Sequence, residues 1–137
     1  IAADSNICRN YKLLTSIKGV GPITAIVMLC STLNFTKITD HRKFACYCGL
    51  APFEHSSGTS VREGCHTSST ANRDIKVQLN RSALIAIRWD PQLKAYYERK
   101  VAEGKHKFSV LNAVRAKIAA RCFAVVRRGT PYVALQI

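Results

Sequence analysis

Apolar residues recur at three- and four-residue spacing over most of the chain, and glycine, proline and polar clusters interrupt the rhythm. That spacing predicts helices rather than strands, because about 3.6 residues per turn bring such positions onto one face. The first helical segment is Ile7 to Ser16, broken by Ile17-Lys18-Gly19-Val20-Gly21-Pro22. Pro22 suits the first turn of the next helix, since its missing N–H would have no helical partner there. That helix carries Ala25, Ile26 and Leu29 to about Thr32. A third covers Lys43 to Cys48, with Thr39 or Asp40 as N-cap and Gly49 as its stop.

From about Phe53 to Thr70 the period is lost among Ser, Thr, Gly and charged residues. This predicts a long loop or short extended pieces, and loops of that length inside a compact domain tend to be functional. The helical period then returns. Ser69 or Thr70 can cap a helix with the stripe Ile75, Leu79, Ala83 and Ile87, ending near Trp89. Asp90-Pro91 reads as N-cap and first position of a helix bearing Leu93, Tyr96 and Tyr97, stopped at Gly104. The last helix runs from about His106 to Arg128, with Gly129 as its stop and Pro131 beyond. Its positions Phe108, Leu111, Val114, Ile118, Cys122 and Val125 form one stripe predicted to be buried. The expected fold class is all-α, a compact helical domain of ordinary length with no internal repeat.

Charge narrows the function. The 137 residues hold 21 Lys and Arg against 8 Asp and Glu, a net charge of +13, with 47% hydrophobic residues. Such a chain folds instead of staying a disordered basic tail, and its expected partner is a polyanion. The excess is uneven: +4 over residues 1–50, −1 over 51–70 and +10 over 71–137. Seven basic residues and no acidic one lie between Lys105 and Arg128. Lys117, Arg121 and Arg128 share a face of the last helix, with Lys107 at its start, and Arg73, Arg81 and Arg88 fall within about one quadrant of the helix after the loop. An ordinary solvated face mixes signs, and like charges one turn apart repel. Faces without acids therefore point to phosphate-backbone binding.

Other classes are disfavoured. The longest nearly apolar run, Ile23 to Cys30, falls far short of the roughly 18 residues of a membrane span, and no secretory signal is visible. The chain begins at Ile1 rather than Met, as an excised domain would. Six cysteines (Cys8, Cys30, Cys46, Cys48, Cys65 and Cys122) include no CxxC pair. Cys46 and Cys48 on a helix point about 200° apart. Reduced intracellular thiols, several filling the core, are expected, with no metal site in this chain. The acidic residues show no clustering that would specify a two-metal nuclease.

Two motifs carry chemistry. Ile17 to Pro22 between two short helices has the form of a helix-hairpin-helix over about residues 7–32. Gly19 and Gly21 would let backbone approach a phosphate, exposed N–H groups of the next helix would hold the anion, and Lys18 would add charge. The bland alternative is an ordinary tight connection between helices. The loop motif is Gly49-Leu50-Ala51-Pro52-Phe53-Glu54-His55-Ser56-Ser57-Gly58-Thr59-Ser60. A serine beside glycine on a polar loop could attack a phosphodiester, and His55 would share a side with Ser57 in an extended strand and could serve as base. Spacing alone defines no Ser-His-Asp set.

Five stretches together resemble a known family. They are Leu14 to Ala25, Phe44 through Gly49-Leu50-Ala51-Pro52, Ser56-Ser57-Gly58, Tyr96-Tyr97-Glu98-Arg99-Lys100 with Gly104-Lys105, and Arg127-Arg128-Gly129-Thr130-Pro131-Tyr132. In this order they resemble the C-terminal domain of insertion-sequence transposases of the IS-one-ten family, the Piv-like DEDD recombinases, over almost the entire chain. The resemblance implies a DNA recombinase whose N-terminal RuvC-like domain, outside this chain, binds a divalent metal such as Mg through four acidic residues. It implies strand cutting and rejoining through a serine, which falls on Ser57 with Ser56 as alternative. It further implies DNA as partner, an element-encoded guide RNA in some members, a homo-oligomer at full length, and a bacterial cytoplasmic, nucleoid-associated location. DNA-backbone contact carries over to Lys18, Gly19 and Gly21. The sequence departs from many members at Cys65 to Ala71, where they have a Lys-Arg-Gly-rich stretch, while Asn72-Arg73 still fits. The competing reading is a non-catalytic helix-hairpin-helix DNA-binding module of a repair or recombination protein.

Overall fold

The structure, a computed structural model, describes residues 4–50 and 71–134, with the side chains of residues 71 and 72 left undescribed. Among the described residues it is all-helical, with six helices in the order α1 (Ser5–Thr15), α2 (Pro22–Ser31), α3 (His41–Tyr47), α4 (Ala71–Trp89), α5 (Pro91–Ala102) and α6 (Lys107–Arg128).

Local chemistry accounts for most boundaries. The Asp4 carboxylate accepts from the N–H groups of Asn6 and Ile7, so α1 starts two residues before Ile7. Asp40 caps α3 through the Arg42 N–H, and Asp90 caps α5 through those of Gln92 and Leu93, with Pro91 following. Gly49, Gly104 and Gly129 take the positive φ values that end helices (+68°, +88° and +69°), a conformation that costs glycine little.

The core joins every helix. Phe44, Leu14, Ile17, Met28, Leu79, Leu93, Ile118 and Val114 are fully buried, and each such side chain contributes roughly 1.5–3 kcal/mol by leaving water. Phe123 anchors the centre, its ring 5.4 Å from Phe44 and edge-on to Phe35 at 4.9 Å. The two longest helices, α4 and α6, pack on each other; α2 and α5 lie against α4, and α1, α3 and α5 against α6. Two predicted stripe positions differ. Phe108 is 73% exposed: it sits in the first turn of α6, ahead of the packing surface that begins at Val110, and stacks on the His106 ring at 5.5 Å. Ile87 is only partly buried, and Ser82 and Ala86 take the inner face of α4 beside Ala83.

Cys48 and Cys122 lie in the core, whereas Cys30 and Cys46 are exposed, and all four are free thiols. Burial pushes both core thiols up to about 12, against which Lys76 beside Cys48 acts only weakly. Since the thiolate is the reactive form, iodoacetamide at mildly alkaline pH is expected to label Cys30 and Cys46 and to spare Cys48 and Cys122 until denaturant is added. Mass spectrometry of the native protein checks this; early labelling of Cys122 would contradict the packing.

Candidate nucleic-acid interface

The turn between α1 and α2 is built by alternation. Ile17 and Val20 point into the core, and Lys18 between them is exposed. Gly19 has φ +94°, and a Cβ there would meet the Ser82 carbonyl oxygen of α4 at 2.6 Å. Gly19 thus lets α4 approach, and that side of it is closed to a phosphate. Gly21 differs: it is extended, forms the N-cap of α2, and a Cβ there would meet nothing within 4 Å. Of the three hairpin residues, Lys18 and Gly21 face open space.

Arg73, Arg81 and Arg88 are all exposed on α4, interleaved with the exposed apolar residues Val77, Leu84, Ile85 and Trp89. Arg88 and Trp89 border a groove with Lys94, Tyr97 and Glu98. Lys107 is exposed at the start of α6.

The remaining α6 cations converge elsewhere. Lys117, Arg121 and Arg128 line an open cavity of about 740 Å³ between α5, α6 and the segment after Gly129, together with Gln92, Tyr96, Arg99 and Tyr132. The Arg121 guanidinium donates to Asp90 Oδ2 at 2.7 Å and to Gln92 Oε1 at 2.8 Å, and it covers the Tyr132 ring at 4.7 Å. Asp90, only 2% exposed, thus combines helix cap and ion pair. Arg121 is neutralised by an acid from another helix, which the acid-free run in α6 did not reveal. Lys117 Nζ lies 4.5 Å and Arg99 Cζ 5.7 Å from the centre of the Tyr96 ring. Tyr132 is placed by its backbone N–H, which donates to Ser16 Oγ at 2.9 Å. The cavity brings the predicted Lys117, Arg121 and Arg128 together and leaves Arg73, Arg81 and Arg88 on a separate face. Arg99 and the two tyrosines were not predicted as site residues; the (i, i+3) spacing of Tyr96 and Arg99 was the available signal.

A third cluster lies where the chain leaves α3 for the serine segment. Asn112 Nδ2 donates to the Leu50 carbonyl at 3.0 Å, and a Cβ on Gly49 would meet Lys76 Nζ at 3.0 Å. One turn on, Arg115 Nη2 donates to Asn80 Oδ1 at 2.7 Å. Burial lowers the pKa of Arg115, and its Nε is buried with no hydrogen-bond partner among the described residues. Ser57, Ser56 and His55 lie outside the described residues. Among the described residues no three of His, Cys, Asp and Glu come together as a metal site, and no helix is long and apolar enough to cross a membrane.

Comparison with known proteins finds similarity over most of the chain. Residues 11–98 match the profile of the transposase IS116/IS110/IS902 family. The chain is 39% identical over 121 residues to the insertion element IS110 uncharacterized 43.6 kDa protein of Streptomyces coelicolor, covering 88% of this chain and 29% of that protein. It is 26% identical over 126 residues to the pilin gene-inverting protein of Moraxella lacunata, covering 90% of this chain and 39% of that protein. The insertion element IS900 uncharacterized 42 kDa protein of Mycobacterium paratuberculosis is 30% identical over 112 residues, covering 80% of this chain and 28% of that protein. The chain thus spans about a third of the length of the curated relatives it matches.

Proposed function

Because the chain belongs to the IS116/IS110/IS902 transposase family, we propose that it is the DNA-gripping, nucleophile-bearing domain of an insertion-sequence recombinase. Family membership carries the reading, and the placement of the cations supports it: the exposed arginines of α4, with Lys18 and Lys107 at the surface. Non-specific grip on DNA comes from cations that displace counterions from phosphates, while a covalent serine intermediate conserves bond energy, so that rejoining needs no ATP.

In this reading Ser57 Oγ attacks a phosphodiester phosphorus. A serine–phosphate bond forms, one phosphorus–oxygen bond of the strand breaks, and the departing strand oxygen leaves with a proton. Attack by a strand hydroxyl on the phosphoserine reverses the step and frees Ser57. Lys76 and Arg115 stand where the chain departs toward this segment, suited to balance phosphate charge. Among the described residues no three acids, histidines or cysteines gather as a metal site, and the place of the divalent metal in this proposal is a RuvC-like domain elsewhere in the full-length recombinase. This chain's own contribution is the nucleophile and the hold on DNA, with a homo-oligomer and an element-encoded RNA as further partners of the whole protein.

The grip is tested by salt-dependent binding to duplex DNA, measured by fluorescence anisotropy. Changing Arg73, Arg81 and Arg88 together to Ala, a good helix former, is expected to flatten the slope of log affinity against log salt by about three and to weaken binding on the order of 100-fold at low salt. An unchanged slope would remove the α4 face from the interface.

A further inference from the structure

The cavity between α5 and α6 has features that a grip on duplex phosphates does not use. Cations that hold a duplex sit on open surface, as Arg73 and Arg81 do, whereas Arg99, Lys117 and Arg128 rim a concavity of about 740 Å³. That volume lies within the range of pockets that enclose a small organic ligand. Its floor is apolar, from Leu93 and Ala120, and its walls include two aromatic rings. Apolar floor, aromatic wall and cationic rim together match a nucleotide rather than a bare phosphate, which needs neither of the first two.

The planar groups are held in advance. Arg121 is fixed by Asp90 and Gln92 with its guanidinium over the Tyr132 ring. Gln92 Oε1 accepts from Arg121 and, at 3.5 Å, from the Tyr132 hydroxyl, and its Nε2 makes no hydrogen bond among the described residues, leaving a donor for a base edge. A paired base presents no free π-face and a duplex is too wide to enter, so the occupant must be unpaired. Asp90 Oδ1 takes the N–H groups of Gln92 and Leu93, Oδ2 takes Arg121, and Gln92 Oε1 is occupied. These acceptors are engaged within the protein, and the choice of deoxyribose follows from the reading of the chain as a DNA recombinase domain.

We propose that this cavity receives an unpaired nucleotide of the DNA strand, its base against the tyrosine and guanidinium planes and its phosphate among Arg99, Lys117 and Arg128. The inference rests on the reading of the chain as a DNA recombinase domain. Such a pocket would hold a strand opened near the cleavage point and keep it from re-pairing.

The test is fluorescence anisotropy at one salt concentration with the 137-residue chain and three probes: a short blunt duplex, the same duplex with a thymidine tail, and the same duplex with a uridine tail. The thymidine tail is expected to raise affinity roughly ten-fold, as one stacked base does. Tyr132→Leu should erase most of that gain with blunt-duplex affinity unchanged. Arg99→Gln, at an exposed position that leaves folding intact, should weaken the tailed probe more than the blunt one. Equal binding of blunt and thymidine-tailed duplex would overturn the inference while leaving the DNA reading in place. Tighter binding of the uridine tail would overturn it in favour of RNA, and failure to bind any probe at low salt would overturn the DNA reading itself.

Discussion

Replacing Gly19 with Ala is expected to destabilise the protein by about 3 kcal/mol and to lower its melting point by roughly 10 °C. Two effects add. The residue has φ +94°, where a side chain costs about 1 kcal/mol or more. The new Cβ would also lie 2.6 Å from the Ser82 carbonyl oxygen, and backbone in the middle of α4 cannot yield without disturbing the Thr24–Ser82 hydroxyl pair and the buried Ala83 and Ala86. Gly21→Ala is the matched comparison: with negative φ and open space around it, it should cost less than about 1 kcal/mol. Thermal unfolding followed by circular dichroism separates the two. A Gly19→Ala protein as stable as the parent, with only DNA affinity reduced, would favour the phosphate contact predicted for Gly19 from the hairpin pattern over its packing role.

The largest functional effect is expected at Ser57. In the full-length recombinase, Ser57→Ala should cut strand transfer on the order of 10⁴-fold or more, because a methyl group offers no oxygen to phosphorus and nothing else completes the covalent step. DNA affinity should not change, since a neutral hydroxyl contributes nothing to the counterion-release energy that dominates binding. Strand transfer on element-end DNA and anisotropy of the same protein give the two readings. Loss of transfer in Ser56→Ala with retention in Ser57→Ala would move the nucleophile by one residue.

Where structure depends on neighbours in sequence, the chain was legible. Asp90-Pro91, Asp40, Gly49, Gly104 and Gly129 each act through their own backbone or the next two N–H groups, and the helix boundaries they predict are observed. Features that depend on distant residues were not. Leu33, Asn34 and Phe35 form a left-handed turn with φ between +48° and +62°, steadied by Asn10 donating to Asn34 Oδ1 at 2.7 Å across 24 residues; no local signal marks it. Phe108 satisfies the helical period yet lies outside the packed length of α6. The cavity needs Arg99, Lys117 and Tyr132 together, and only the reversals at Gly104 and Gly129 make them neighbours. Arg121 illustrates the limit of charge-run arguments, because its counterion Asp90 comes from the cap of a different helix.

The central claim, a DNA-holding domain that supplies a serine nucleophile, is tested most directly by trapping the intermediate. Full-length protein, unmodified and Ser57→Ala, is incubated with element-end DNA, the element-encoded RNA and a divalent metal, then denatured and analysed for a covalent protein–DNA adduct. An adduct is expected with the unmodified protein, nucleotide attached to the peptide containing Ser57, and none with the variant. An adduct that persists in Ser57→Ala, or no adduct with the unmodified protein despite steeply salt-dependent binding, would contradict it, the latter in favour of a non-catalytic DNA-binding module.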